Sequence, residues 1–184
     1  QTPRLRHFYG VYGRWLVGRT WGTASDLYAV PVTIDFEAGD AIAGTRRAQI
    51  RFEDKITETI KYAVGIEMLE YQGIDPVNQI GQASAQLPLL AGRITKGTKN
   101  GGRLFLGGSV YQLRWVPDSS LTGSTALGWG VSFSGREYFT TKRHYIFWQG
   151  SYGNGWGSNI LTFIGDGSAT VDENNELETM AAFS

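Results

Sequence analysis

The sequence has no cysteine, only two histidines (His7 and His144), five prolines and no net charge, with 17 Lys+Arg against 17 Asp+Glu in 184 residues. Without cysteine there are no disulfides, thiolate zinc sites or cysteine nucleophiles. Two imidazoles make a multi-histidine metal site a poor expectation, and no cofactor is expected. A zero balance argues against a general nucleic-acid binder, which carries a clear basic excess. No apolar run approaches the roughly 18–20 residues of a spanning helix, which excludes a helical membrane protein but leaves a membrane β-barrel open. The opening residues, Gln1-Thr2-Pro3-Arg4, form neither a basic n-region nor an apolar h-region, so either a signal was removed or the chain is an internal piece of a longer one. No Gly-x-Ser-x-Gly elbow occurs, and neither a hydrolase nor any other enzyme is expected.

What the sequence has in quantity is glycine, with 25, and aromatics, with 6 Trp, 9 Tyr and 9 Phe. Helical periodicity is nearly absent; 25–30 and 75–83 have room for a helical turn or two. Elsewhere, runs rich in Val, Ile, Thr and aromatics alternate with turn clusters such as Lys99-Asn100-Gly101-Gly102. Ten strands are expected, at 4–12, 14–21, 45–54, 58–69, 86–97, 102–115, 124–137, 141–151, 157–164 and 175–183.

Alternation fixes the faces of several runs. Ile60, Tyr62, Val64 and Ile66 oppose Lys61, Ala63, Gly65 and Glu67; Ala48, Ile50 and Phe52 oppose Arg47, Gln49, Arg51 and Glu53. Leu127, Trp129, Val131 and Phe133 oppose Gly128, Gly130, Ser132, Ser134 and Arg136. In a soluble sandwich the apolar face is the core; in a membrane barrel it meets lipid and the polar face lines a lumen. Polar faces rich in Arg, Gly and Ser, with 12 Arg to 5 Lys, and aromatics at strand ends (Trp15, Trp21, Trp115, Tyr138, Phe139) lean toward the barrel.

The connections are unequal. Residues 22–44 hold no convincing strand yet carry Tyr28, Pro31, Ile34 and Phe36, too much apolar content for disorder. They are expected to form an ordered loop folded onto or into the rest. Here the sequence resembles the DcaP-like porins of Gram-negative outer membranes. Trp15-Leu16-Val17-Gly18-Arg19-Thr20, Pro31-Val32-Thr33-Ile34-Asp35-Phe36 and Arg46-Arg47-Ala48-Gln49-Ile50-Arg51-Phe52 follow, in order and approximate spacing, the family's Trp-x-x-Gly-Gln-Thr, Pro-x-x-Ile-Asp-Phe and Arg-x-Pro-Gln-Val-Arg-Tyr elements. Leu5-Arg6-His7-Phe8-Tyr9 and the run from Leu87 to Gly97 are similar to further barrel strands. Arg19 stands where the family has Gln, and Ala48 where it has Pro.

The resemblance implies an all-β, antiparallel transmembrane barrel of porin type: a single partial domain over 1–184, about ten strands of a larger barrel of about sixteen, open in this piece. It implies residues 22–44 as an inward-folded constriction loop, a homotrimer in the lipid and lipopolysaccharide of the outer membrane, and permeation of small, often anionic solutes such as dicarboxylates. Selectivity then needs fixed charge where the pore is narrowest. Arg47 and Arg51, with Gln49 between them, share one face of one strand, and Arg4 with Arg6 repeats that spacing. Together with Arg14, Arg19, Lys61 and Arg93 they make a candidate cationic ladder for carboxylates. Asp35 and Glu37, on the loop, are candidates for the opposing charge. The plainer alternative is that the arginines neutralise loop carboxylates and stiffen the wall.

A second reading is a complete small β-barrel holding an apolar ligand; it requires strand 4–12 to pair with strand 175–183. The acidic residues near the end have no EF-hand spacing and read as a solvated loop. The zero net charge also divides unevenly: residues 1–164 carry 17 bases and 12 acids, residues 165–184 five acids and no base.

Overall fold

The computed structural model describes residues 5–30, 44–70, 72–76, 80–118, 122–139, 143–160 and 167–184. Its strands are β1 (Phe8–Tyr12), β2 (Trp15–Trp21), β3 (Arg46–Lys55), β4 (Ile60–Glu67), β5 (Ile74–Asp75), β6 (Gly81–Ala83), β7 (Leu89–Gly97), β8 (Arg103–Pro117), β9 (Ser124–Tyr138), β10 (Tyr145–Asn154), β11 (Ala169–Val171), β12 (Leu177–Thr179) and β13 (Ala181–Phe183). A 3-10 turn covers Gly157–Asn159.

Ten of these strands form one sheet in the order β1-β2-β3-β4-β7-β8-β9-β10-β13, with β6 beside the far end of β8. Every pairing in it is antiparallel. β1 and β13 lie at opposite ends of that order, so among the described residues the sheet has two edges and the pairing that a closed small barrel requires does not occur. A second sheet, β12-β11-β5, is smaller and contains one parallel pair, β11 with β5.

Eight expected strands correspond to β1–β4 and β7–β10. Of the other two, 161–164 of the first lie outside the described residues, and the second does not form as one strand. Residues 157–164 begin with the 3-10 turn, and 175–183 splits at Met180 into β12, which joins the small sheet, and β13, which joins the large one. Of the expected helical turns, 25–30 is irregular with a turn at 28–29, and 75–83 holds the end of β5 and all of β6, with 77–79 outside the described residues.

The connections sort by end. At one end, the turn end, the hairpins β1–β2, β3–β4, β7–β8 and β9–β10 close over short turns. At the other, the loop end, the chain makes its long excursions at 22–45 and 68–88 and beyond 154. Described parts of each excursion, among them Thr23, Leu69 with Ile74, and Trp156 with Ile160, fold back onto one face of the sheet, the inner face.

The opposite, outer face is bare and apolar: Val17, Ile50, Val64, Ile66, Leu106 and Phe133 are each about half exposed. Aromatic pairs border this belt. Trp15 packs edge-on to Phe52 with centroids 5.0 Å apart at the turn end, and Trp129 on Tyr152 at 6.0 Å toward the loop end. Trp15 and Trp21 thus stand about 20 Å apart along β2. Such an exposed apolar belt with aromatic rims suits lipid rather than water.

β8 and β9 run past this belt. There the inner face turns apolar: Tyr111, Leu113 and Trp115 are buried under Trp156, Ile160, Ala169 and Val171. Gly130 is needed at this contact, because a Cβ there would overlap the Trp156 indole.

Candidate functional site

Over β2–β4 and β7–β9 the inner face is polar, and it holds residues 22–30, the described beginning of the long connection; 31–43 lie outside the described residues. Arg47, Gln49 and Arg51 alternate on β3 and share this face, as their spacing predicts. All three are buried. Arg47 lies 3.5 Å from Glu67 and donates to the Asn159 side chain at 2.8 Å. The Gln49 amide donates to the carbonyls of Trp21 (2.9 Å) and Thr20 (3.2 Å), and Arg51 donates to Trp21 O and to Gln49 Oε1, each at 3.2 Å. Glu67 accepts from the backbone N–H of Thr23 at 2.5 Å. Thr23 reaches that position because it rides over Gly65, where a Cβ would stand 2.5 Å from its hydroxyl.

Further along, Ser132 donates to Ala24 O at 3.0 Å, and Asp26 accepts from Ser134 at 2.6 Å and from its own Tyr28 N–H at 3.0 Å, while pairing with Arg103. The Tyr28 ring lies between two guanidiniums, Arg103 at 4.5 Å and Arg136 at 5.0 Å, and Arg136 donates to Val30 O at 2.7 Å. Burial, then a hydrogen bond with Tyr138, holds the Tyr28 phenol above its ordinary value against the pull of Arg136 and Arg103. The phenol donates to Gly101 O at 3.1 Å.

Two cavities open beside this strap. The smaller, about 500 Å³, is bordered by Glu53, Lys61, Arg93, Thr95, Arg103 and Phe105 among others. The larger, about 720 Å³, is bordered by His7, Tyr9, Ser25, Tyr28 and Arg51, and shares Arg93 and Arg103 with the first. Of the charged groups lining the two, six are basic (Arg14, Arg51, Lys55, Lys61, Arg93, Arg103) and two are acidic, Glu53 and Asp54. Glu53 pairs with Arg51 at 2.8 Å and with Arg93, and Asp54 with Arg14 at 2.8 Å at the rim.

The structure therefore brings Arg47, Gln49, Arg51, Lys61 and Arg93 to one face. Arg47 and Gln49 are covered by the strap, whereas Arg51, Lys61 and Arg93 reach the cavities. Arg14 sits in the exposed β1–β2 turn, and Arg6 is exposed just ahead of β1. Arg19 is misplaced by the sequence reading. Opposite Ala48 in register, it stands on the outer face with Trp15 and Val17 and pairs with Glu70 near the loop end. Arg4, Asp35 and Glu37 lie outside the described residues. The reading missed Arg103, in phase with Phe105 and Gly107 on β8, and gave Arg136 no role although it shares a face with Ser132 and Ser134. Asp26 and Tyr28 gave no signal, since their partners lie more than seventy positions away. His7 accepts from the Arg46 guanidinium at 3.1 Å and lies 3.1 Å from the Thr20 hydroxyl.

No protein-family model matches the sequence, and no curated protein does. A solved structure does match: the crystal structure of the outer membrane channel DcaP of Acinetobacter baumannii, with a TM-score of 0.78 over 98% of this chain at 24% identity. The match takes up 49% of that channel, so this chain spans about half its length and has its fold over that half.

Proposed function

We propose that this chain forms about half the wall of a water-filled diffusion channel in the outer membrane, passing small anionic solutes, with carboxylates as the chemical class its guanidiniums suit. The observation that carries the reading is the charge of the two cavities, six bases to two acids, borne on the face opposite the apolar belt save for Arg14 and Asp54 at the rim. A desolvating anion is repaid there by charge pairing with Arg51, Lys61, Arg93 and Arg103. Arg47 and Gln49 serve instead to clamp the strap. The channel is proposed to assemble as a homotrimer, its apolar belt against lipid and neighbouring copies, with the turn end toward the periplasm and the long connections outside. No catalytic group or cofactor enters this function.

Planar-bilayer recording of the full-length protein tests it. The expected result is a stable conductance with chloride preferred over potassium. Arg51→Ala should lower that preference by about twofold or more, and Arg47→Ala should change it less, because Arg47 does not reach the cavities. A protein that gives no conductance, or one that prefers potassium strongly, overturns the reading.

A further inference from the structure

Resting on the channel reading, we propose that Glu53 is the specificity-determining residue of the passage, an internal carboxylate that occupies two of the guanidiniums a passing anion would meet, Arg51 and Arg93, and so limits the preference for anions. Glu53, Ala63 and Arg93 stand in one row across β3, β4 and β7, each opposite the next in register. Two strand spacings separate Glu53 from Arg93, about 9–10 Å of backbone, and what lies between is the methyl group of the buried Ala63. The two long side chains meet above that methyl. On its own strand Glu53 also takes Arg51, two residues away on the same face, at 2.8 Å.

Burial separates this carboxylate from the other acids nearby. Asp26, on the strap, and Glu67, beneath it, have side chains 2% and 1% exposed, while the Glu53 side chain is 43% exposed. Asp54, the other acid bordering a cavity, is engaged by Arg14 at the rim. Arg93 borders both cavities, so whatever occupies it acts on the whole path. An entering anion therefore exchanges with a carboxylate already in place rather than meeting bare guanidinium, which keeps binding weak enough for release.

Reversal potentials across a potassium chloride gradient test this in the full-length protein. Glu53→Gln keeps the size of the side chain and removes its charge, and it should raise the chloride-to-potassium permeability ratio about threefold. Glu58→Gln removes the same charge from the exposed β3–β4 turn and should leave the ratio at the wild-type value. Arg93→Gln should lower the ratio, because Glu53 is then only half compensated. This third variant decides the matter if Glu53→Gln does not insert as a heat-modifiable barrel. An unchanged ratio in a conducting Glu53→Gln channel, an equal rise in Glu58→Gln, or an unchanged ratio in Arg93→Gln overturns the proposal. A wild-type protein without conductance would instead defeat the channel reading beneath it.

Discussion

β8 presents opposite chemistry in its two halves. From Arg103 to Val110 its outer side chains are Leu104, Leu106 and Val110, exposed and apolar, and its inner side begins with Arg103. From Tyr111 onward the outer positions are Gln112, Arg114 and Val116, and the inner ones are Tyr111, Leu113 and Trp115, buried mainly by the segments that follow β10, with Leu69 and Ile74. The ladder with β9 continues through the change without a bulge, Val110 opposite Trp129 and Tyr111 opposite Gly128. What switches is the surroundings. The half toward the turn end has its apolar side bare, as a strand in lipid does, and the half toward the loop end has it covered by its own chain, as a soluble sheet does.

The contrast extends to what each half holds on its inner face. The strap 22–30 is fixed by side-chain hydrogen bonds and ion pairs to Glu67, Arg103, Ser132, Ser134 and Arg136. Trp156, Ile160, Ala169 and Val171 rest on apolar contact with Leu113 and its neighbours. The first attachment depends on charge, the second on water being excluded, and substitutions in the two should fail differently.

The largest effect is expected in the covered half. Trp156→Ala empties the space over Gly130 and should cost about 3–5 kcal/mol, read as a lowered midpoint of denaturant unfolding and as new protease cleavage near 155–160. Because water exclusion is the cause, the loss should be similar in detergent and in lipid vesicles; a loss confined to vesicles would break the comparison. Next comes the bare half. Leu106→Arg should cost about 2–4 kcal/mol in refolding equilibria with lipid vesicles, because it places a cation in the belt. Thr125→Arg, on the outer side of β9, should cost at most about 1 kcal/mol, the like-charge pair with Arg114 directly opposite included. Equal costs at 106 and 125 would mean that the boundary does not lie where β8 changes character.

The eight long strands were legible because period-two alternation survives in either solvent: Ile50 and Phe52 against Arg51, or Val131 and Phe133 against Ser132, read correctly whether the apolar side meets lipid or core. Arg19 was misjudged for the opposite reason. A charged residue in an otherwise apolar outer row suggests the lumen by its chemistry, but its position between Val17 and Trp21 fixes it outside, where Glu70 from the loop end reaches it. The half-strand inversion of β8 was hidden because Tyr111, Leu113 and Trp115 continue the spacing of Phe105 without interruption. Residues 157–164 and 175–183 have strand composition, yet their pairing partners are set by long connections that no local pattern encodes. At the site, the shared face of Arg47, Gln49 and Arg51 was visible, but their burial was not, since the covering residues 22–25 make no contact predictable from spacing.

The smallest effect separates the two attachments. Asp26→Asn preserves shape while removing the charge that Arg103 pairs with and weakening the acceptor of Ser134 and of the Tyr28 N–H. Hydrogen bonds to a charged group are worth about 1.5–3 kcal/mol. Arg103 keeps about a third of its side chain in solvent, so the pair itself contributes less, and a net loss of about 1 kcal/mol is expected. That corresponds to roughly fivefold faster amide exchange over 22–30. Exchange over 155–160 should change less, because the partners of Asp26 are Arg103, Ser134 and the Tyr28 N–H, none of them in the apolar cluster, and the strap meets that cluster through Ala24. If both segments loosen together, the strap and the covered half form one cooperative unit; if 22–30 alone responds, its hold on the wall is electrostatic and separable from the core beside it.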